Sequence, residues 1–285
     1  CHLGAWRYPE LQQLNFESFK TALETCKKEK VDFILIAGDL FDSPYPPIET
    51  IKDAFGEFRK LKEANIPVFF IAGSHDYSIS GKSFLDVMEK SGFGVNVFKS
   101  IDKDNSIILE PTICKGAAIY GYPGKKTGLE VYDIPRIKLQ DAPGMFKILM
   151  LHTTMKDALP NLDIPSVDRE SLPKVDYIAL GHLHLQYEKG NAVYGGPIYP
   201  NNASELEDLK YGTFYIVDTN KEAKRHNIKL KDVLVLDLEI TDSLIGTDKI
   251  IEELKKHPLK DKIFILKLKG VLEKGKITDI NFNKI

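Results

Sequence analysis

The segment from Val31 to Asp42, with the sequence VDFILIAGDLFD, constrains the fold of this chain most strongly. Six of the seven residues from Phe33 to Asp39 are apolar or glycine. A continuous apolar run of this kind is typical of a strand buried on both faces, as in parallel sheets covered by helices. Ligands bind at the carboxyl ends of such strands, where Asp39 lies. The segment predicts an α/β fold, although an acidic residue after a strand is also common in turns and helix caps.

Length and composition are those of a globular protein with a large core. The chain has 285 residues, of which 43% are hydrophobic and 28% charged, which allows one large domain or a large domain with a small one. The formal net charge of −2 excludes a uniformly basic nucleic-acid binder, but residues 221–285 carry 15 Lys and Arg against 11 Asp and Glu. This asymmetry leaves room for a locally basic surface in the C-terminal part.

Cysteine usage and hydropathy indicate the compartment. Cys1, Cys26 and Cys114 show no paired spacing, which predicts a reducing compartment with neither a disulfide framework nor a thiolate metal site. The sequence shows no apolar run of membrane-spanning length and no signal peptide. We therefore expect a cytoplasmic protein that does not associate with a membrane.

Helices and strands alternate through the first 220 residues. Helical spacing predicts helices over residues 16–30, 46–61, 83–89 and 128–139. Apolar runs predict strands over residues 31–39, 66–72, 95–99, 106–109, 117–120, 146–151, 175–180, 193–196 and 211–218. The polar segment 219–231 predicts a domain boundary, followed by β–α–β over 233–240, 248–256 and 263–271 and a last strand near 277–282. The order predicts a layered α/β domain over 1–220 and a small α/β domain over 221–285.

Metal-binding side chains follow four of the predicted strands. They are Asp39, His75 with Asp76, His152, and His182 with His184, while His2 lies at the front of the chain. Strand ends converge at one edge of a sheet, and imidazole together with carboxylate suits manganese, iron or zinc. Two such ions about 3.5–4 Å apart can clamp the attacking and leaving oxygens of a phosphate ester. The pattern predicts metal-assisted hydrolysis, with a carboxylate as the natural bridge between the two ions.

Each of these residues also has a simpler explanation. A strand-end histidine such as His152 is often hydrogen-bonded to the backbone, and residues 73–76 could form a simple turn. His182 and His184 are two residues apart, so in extended backbone they face the same way, which fits a metal site or a surface coincidence. Five of the seven histidines lie in such positions, and this joint occurrence favours the metal site.

The ordered motifs resemble the calcineurin-like metallophosphoesterase superfamily. These motifs are His2-Leu-Gly, Gly38-Asp-Leu-Phe-Asp42, Gly73-Ser-His-Asp76, Leu151-His152 and Gly181-His-Leu-His184. Residues 36–42, the helix start at Pro46-Pro47, and residues 149–152 and 177–184 are similar to the SbcD-type branch. That branch is the nuclease subunit of the double-strand-break repair complex, the meiotic-recombination-eleven family. Residues 214–218 and the β–α–β tail also resemble it, so the resemblance covers nearly the whole chain.

The resemblance implies a fold, a site and partners. The fold is a layered metallophosphoesterase β-sandwich flanked by helices, with a small C-terminal α/β DNA-capping domain. One ion would lie on His2, Asp39 and His184, and the other on Asp39, Ser74, His152 and His182. His75 would act as a general acid or transition-state stabiliser, with Asp76 orienting its imidazole. The family implies exo- and endonuclease activity on DNA ends and single strands with two manganese ions, homodimers and an SMC-like ATPase partner.

The chain departs from the family pattern at three places. The family begins its first motif with an aspartate two residues before the histidine, which would lie upstream of Cys1; we expect the native gene to supply it with its strand. The family's asparagine is Ser74 here, and a hydroxyl would ligate weakly or through water. The glycine-serine turn after the last histidine motif is altered in residues 199–204. The sequence ends at Ile285 without the helices that usually engage the ATPase in this family, so we expect either that a C-terminal extension was removed or that partner binding differs.

Three functions remain open from the sequence. The first is a metal-dependent DNA nuclease, and the second is a phosphodiesterase of small nucleotides, because the metal core alone does not choose the substrate. The third is a DNA-end-binding scaffold with a degenerate metal site, which Ser74 and the missing aspartate favour. Arg7, Lys82 and the tail lysines could contact phosphates without reading sequence, or could be ordinary solvated charges.

Overall fold

The chain forms two compact units. The computed structural model describes residues 1–78 and 83–285, so Lys82 lies outside the described residues. One unit comprises Cys1–Asn201 with Gly212–Ile228, and the other comprises Asn202–Tyr211 with Lys229–Ile285. The sequence placed the boundary after residue 220. The polar segment that suggested this boundary contains a strand of the first unit, Ala223–Ile228, which pairs with Gly212–Val217.

The first unit is an α/β unit with fourteen strands among its described residues. Its helices are α1 (Pro9–Lys28), α2 (Ile48–Glu63), α3 (Phe84–Lys90) and α4 (Glu130–Asp133). Its strands are β1 (Ile34–Ala37), β2 (Val68–Ile71), β3 (Val95–Asn96), β4 (Ser100–Lys103), β5 (Ser106–Leu109), β6 (Thr112–Cys114), β7 (Ala117–Tyr122), β8 (Ile137–Leu139), β9 (Phe146–His152), β10 (Tyr177–Gly181), β11 (Gln186–Lys189), β12 (Ala192–Gly195), β13 (Gly212–Val217) and β14 (Ala223–Ile228).

Two sheets of this unit pack face to face. The first has the order β1-β2-β3 and is parallel; the second has the order β11-β12-β10-β9-β7-β6. Between them lies a core that includes Phe69, Ile71, Ile148 and Met150. Helices α1 and α2 cover the other face of the first sheet, where their apolar side chains pack with β1 residues such as Ile36. The apolar residues of β1 and β2 therefore have neighbours on both faces, and the layered α/β sandwich expected from the sequence is confirmed.

Some local predictions were wrong. The helix predicted over 128–139 is reduced to α4 and one 3-10 turn (Ile134–Arg136), and residues 137–139 form β8, which pairs in parallel with β5. Proline at position 135 interrupts helical hydrogen bonding there. Helix α1 begins at Pro9, earlier than predicted, because proline is favoured in the first helical turn. The short strands β4, β6, β11 and β14 had no clear sequence signal.

The second unit is a small β–α–β unit. It contains α5 (Ala203–Leu209), β15 (Asp232–Glu239), α6 (Gly246–Leu254) and β16 (Lys262–Lys269). Strands β15 and β16 are parallel along their whole length, and Leu238, Ile240, Ile250 and Ile280 form the core. The predicted last strand near 277–282 is instead two 3-10 turns, Ile277–Asp279 and Phe282–Lys284. Among the described helices of the chain, none combines the length and the hydropathy needed to cross a membrane.

The two sheets of the first unit approach closely where β1 and β10 end. A Cβ atom at Gly181 would lie 1.8 Å from the backbone oxygen of Ala37. Because this neighbour is backbone, it cannot rotate away, and only glycine allows the two strand ends to meet at this distance. The packing of the sheets therefore depends on a glycine directly before His182.

We expect Gly181→Ala to lower the free energy of unfolding by about 1–3 kcal/mol, because the added methyl group forces β1 and β10 apart. Urea denaturation of the variant and the wild type measures this difference. Gly195→Ala at the end of β12 is the matched control, since no described heavy atom lies within 4 Å of its Cβ position. Equal losses in both variants would contradict the close-approach explanation.

Candidate metal centre

Asp39 lies in a strained turn directly after β1. Both Gly38 (φ 89°) and Asp39 (φ 49°) are in the left-handed region, which costs an aspartate less than most residues because its side chain bonds locally. A Cβ atom at Gly38 would lie 2.3 Å from Nδ1 of His152, and one at Gly73 would lie 2.2 Å from Oδ1 of Asp39. Both glycines thus leave room for side chains of the centre. The turn delivers a carboxylate that is 4% exposed.

The Asp39 carboxylate lies between two histidines from distant parts of the chain. Its Oδ1 accepts a hydrogen bond from the backbone N–H of His75 at 2.8 Å. Its Oδ2 lies 3.4 Å from Nε2 of His2 and 3.2 Å from Nε2 of His152. A single carboxylate oxygen is therefore shared by imidazoles that approach it from two sides.

Two groups of side chains around Asp39 could each hold a divalent cation. His2, Asp39 and His75 form one group, and Asp39, His152 and His182 form the other, with the ligand atoms of each group within 4.8 Å of one another. His184 lies next to the first group, with its Nε2 3.0 Å from Nε2 of His2. Five of the six predicted metal ligands are thus brought together. The sixth, Ser74, is half-buried beside His75, and its role as a ligand stays a prediction.

His182 and His184 do not follow strand alternation. Strand β10 ends at Gly181, and His182 has a φ of 97°, so the argument that the pair faces the same way in extended backbone was wrong. The ring of His182 packs edge-on against His152 with centroids 5.1 Å apart, and that of His184 against His2 with centroids 4.7 Å apart. Each histidine therefore belongs with a different group.

Hydrogen bonds set the tautomers of the two buried histidines. Nδ1 of His152 lies 2.8 Å from the backbone oxygen of Ala37, and Nδ1 of His2 lies 3.1 Å from Oδ1 of Asp42. Because both partners only accept, each Nδ1 carries the proton and each Nε2 keeps its lone pair. Within the described part of the chain, Nε2 of His152 is buried without a hydrogen-bond partner. A divalent cation would satisfy this lone pair, so the residues present fit a metal.

The charges of the site also fit a cation. Burial lowers the pKa of His2 to about 4, and desolvation of the solvent-facing His182 ring where it packs against His152 lowers its pKa to about 4 as well. Both imidazoles are therefore neutral near pH 7, which is the form that binds metals. Burial alone would raise the pKa of Asp39, but the adjacent imidazoles of His152 and His2 and the backbone N–H of His75 outweigh it and hold that pKa below its usual range. An ionised carboxylate together with the neutral imidazoles of His2 and His182 is the kind of donor set expected for manganese, iron or zinc.

Asp76 has a different contact from the one predicted. It is 2% exposed, and its Oδ2 accepts the backbone N–H groups of Asp39 and Gly73, both at 2.8 Å. Nδ1 of His75 lies 2.8 Å from the backbone oxygen of Asp42 instead. The expectation that Asp76 orients the His75 imidazole was therefore wrong, since adjacent residues of this turn point in different directions. Burial raises the pKa of Asp76 to about 6, and its carboxyl group holds the Asp39 turn against Gly73.

Asp42 is the residue of the centre that sequence reasoning missed. Its carboxylate orients His2, and its backbone oxygen orients His75. The hydrogen bond with His2 keeps the pKa of Asp42 below its usual range. The Asp42 side chain is therefore an ionised carboxylate that accepts the hydrogen bond from Nδ1–H of His2. The sequence did indicate this residue, because Asp42 is the last residue of the motif that contains Asp39. A separation of three residues, however, does not show in which direction a side chain in a turn points.

A cavity of about 520 Å³ borders the centre within the first unit. Its lining includes His2 and His152 together with apolar residues such as Ile36 and Phe214.

Leu3 forms a parallel β-bridge with Phe41, which follows the Asp39 turn. The strand and the aspartate that the resemblance places upstream of Cys1 stay a prediction.

Two ligand groups that share one buried carboxylate, at the strand ends of a layered α/β sandwich, are the centre of a phosphoester hydrolase with two divalent cations. The family model for calcineurin-like phosphoesterases matches residues 2–186. The chain belongs to this family.

Three curated relatives are named DNA double-strand break repair protein Mre11. The chain is 29% identical to that of Methanosarcina mazei over 265 residues, which are 89% of this chain and 40% of the relative. It is 28% identical to that of Methanosarcina acetivorans over 270 residues, 90% of this chain and 42% of the relative. It is 29% identical to that of Methanococcus maripaludis over 246 residues, 81% of this chain and 64% of the relative. The chain thus spans less than two thirds of the length of each of these relatives.

We expect Asp42→Ala to weaken binding of Mn²⁺ by about 10–100-fold at one of two sites, because His2 loses the acceptor that fixes its tautomer. Calorimetric titration of chelator-treated protein with Mn²⁺ measures the affinity of each site. Asp53→Ala on the exposed face of α2 is the control and should bind as the wild type does. Wild-type affinity in Asp42→Ala would show that His2 does not depend on this contact.

The lowered pKa of His182 predicts how pH acts on the metal-free protein. Between about pH 4 and the ordinary histidine pKa of roughly 6.5, the unfolded chain binds a proton at His182 that the folded chain does not. This group therefore destabilises the fold increasingly as the pH falls through that window. His182→Gln should gain stability relative to the wild type between pH 7.5 and pH 5, measured by denaturation in the presence of a chelator. A difference that does not change with pH would contradict the assignment.

Proposed function

We propose that this chain is the nuclease part of a DNA double-strand-break repair enzyme, which cleaves phosphodiester bonds at DNA ends as an exo- and endonuclease. The observation that carries the proposal is the Asp39 carboxylate shared between two histidine groups. The names of the relatives support DNA as the substrate. Two manganese ions are the cofactor that we propose, and the donor set would also accept other divalent cations.

Different residues of the chain would bind each of the two metal ions. His2, Asp39 and His184 would hold one ion, and Asp39, Ser74, His152 and His182 the other. When bound, the two cations supply the charge that activates water and stabilises the developing negative charge on the phosphate. The neutral imidazoles of His2 and His182 leave the ligand set with the single negative charge of Asp39 as the bridge.

His75 is the proposed proton donor. It is exposed, unlike His2 and His152, and its Nδ1 is occupied by the backbone oxygen of Asp42. In the imidazolium form, its Nε2–H is then the group that can deliver a proton to the leaving oxygen, which leaves the neutral imidazole with its proton on Nδ1. Because His75 also lies within ligand distance of His2 and Asp39, a count of bound metal ions is needed to separate the two roles.

Further parts of the proposal concern the partners. The second unit, with the lysines of β16 and of the segment that follows α6, would cap DNA by contacting phosphates. We also propose a homodimer, an SMC-like ATPase partner and a cytoplasmic location.

A weakly metal-binding scaffold at DNA ends is the second candidate function, because the hydroxyl of Ser74 is a poorer ligand than an amide oxygen.

We expect the wild type to degrade duplex DNA ends in the presence of Mn²⁺, and His75→Ala to lose about 10²–10⁴-fold in cleavage rate, because the proton donor is removed. The Ala variant should still bind two Mn²⁺ ions per chain. Gel assays of end-labelled duplexes measure cleavage, and titration of metal-free protein counts the ions.

Three results would contradict this proposal in different ways. Equal cleavage by both proteins would exclude His75 as the proton donor, and loss of one ion in His75→Ala would make it a ligand. Cleavage of a small bis-ester substrate without cleavage of DNA would favour a small-nucleotide phosphodiesterase. Salt-sensitive DNA binding without cleavage at any Mn²⁺ concentration would favour the scaffold.

A further inference from the structure

Glu130 is a buried acid outside the metal-ligand groups. It is the first residue of α4 and is 3% exposed. Its Oε2 accepts the backbone N–H of Lys125 at 3.1 Å, and its Oε1 accepts the hydroxyl of Thr153 at 3.4 Å. A buried carboxylate is costly unless donors satisfy it, and these donors lie in two segments that both touch His152.

The first segment is the loop after β7. The backbone N–H of Gly124 donates to the oxygen of Ala72 at 3.0 Å, directly before the turn that carries Ser74 and His75. A Cβ atom at Gly124 would lie 2.4 Å from Cδ2 of His152, so the loop backbone lies against the imidazole. Glu130 binds this loop at the next residue, Lys125, and so keeps it against the ring.

The second segment begins at Thr153, the residue after His152. Its backbone N–H donates to the oxygen of Gly181 at 3.3 Å, and its oxygen accepts the hydroxyl of Tyr194 at 2.6 Å. The side-chain hydrogen bond with Glu130 is therefore a third restraint on the same residue. Gly181 precedes His182, so these contacts join the strand ends that carry both histidines of one ligand group.

We infer that Glu130 is a positioning residue for His152 and His182, and therefore for one of the two cations of the proposed metal centre. It acts by holding the Gly124 loop against the His152 ring while it restrains Thr153. The inference rests on the proposed function for the metal and on the described contacts for the geometry. Asp42 has the equivalent position on the other side, through His2, so the two acids support different ligand groups.

Titration with Mn²⁺ of chelator-treated wild type, Glu130→Ala, Glu130→Gln and Thr153→Val tests the inference. We expect Glu130→Ala to weaken one of the two sites by about 10–100-fold and to leave the other within about twofold. Loss of one ion would also remove the exchange-coupled two-manganese signal in electron paramagnetic resonance. Glu130→Gln should recover most of the affinity, because its amide oxygen still accepts the N–H of Lys125.

Glu57→Ala is the matched control, because Glu57 is a buried acid of the same unit that pairs with Lys60 on α2. It should bind both ions like the wild type. If Glu130→Ala does not fold, Thr153→Val removes only the hydroxyl contact and should show the same one-site loss in smaller measure. Unchanged binding at both sites in these variants, or equal weakening at both sites, would overturn the inference.

Nitrogen-15 spectra of the histidines in metal-free protein give a readout that does not depend on the metal. We expect the His152 ring signals to shift or broaden in Glu130→Ala and to remain as in the wild type in Glu57→Ala. Unperturbed His152 signals in Glu130→Ala would refute the positioning role. A wild type that binds no pair of cations, with His152 still perturbed in the variant, would reject the proposed metal function and leave only a structural restraint.

Discussion

The turn at Gly38 and Asp39 is the constraint on which the rest of the site depends. A left-handed aspartate costs roughly 1–2 kcal/mol relative to an ordinary backbone conformation, and this turn is restrained by backbone hydrogen bonds to the buried Asp76 carboxyl group. A hydrogen bond to an ionised group contributes about 1.5–3 kcal/mol, so the contacts with Asp76 are of the size needed to hold the turn. Without them, the Asp39 carboxylate would not stay between His2 and His152.

The same turn explains why small residues surround the centre. Side chains from four strand ends can converge only if the backbones that carry them come closer than ordinary Cβ contacts allow. Gly38, Gly73, Gly124 and Gly181 each lie where a Cβ atom would meet the backbone or a ligand side chain at less than 2.5 Å. The sheets direct the strand ends towards one another, and the glycines allow their backbones to approach closely enough for the ligand side chains to meet.

The sequence predicted the strand ends well and the contacts between side chains poorly. Apolar runs that end in Asp39, His152 and Gly181 are local signals, and they identified β1, β9 and β10 with most of their ligands. The roles of Asp42, Asp76 and Glu130 depend on which way residues in turns point, and no periodicity reports that. The first compact unit extends beyond residue 220 to Ile228 for a related reason, since the polar strand β14 has few apolar residues to reveal it in the sequence.

Burial is uneven across the centre, and this bears on the substrate. His2 and His152 are 4% and 1% exposed, whereas His75 and His182 face solvent. The protein therefore encloses the bridging carboxylate from one side and leaves the proposed proton donor accessible from the other. A phosphodiester in the middle of a polymer cannot enter a closed pocket, because the chain continues on both sides of the scissile bond. The exposure of His75 and His182 beside the buried bridge supports the proposed DNA substrate over the alternative of a small nucleotide, which would gain affinity from enclosure.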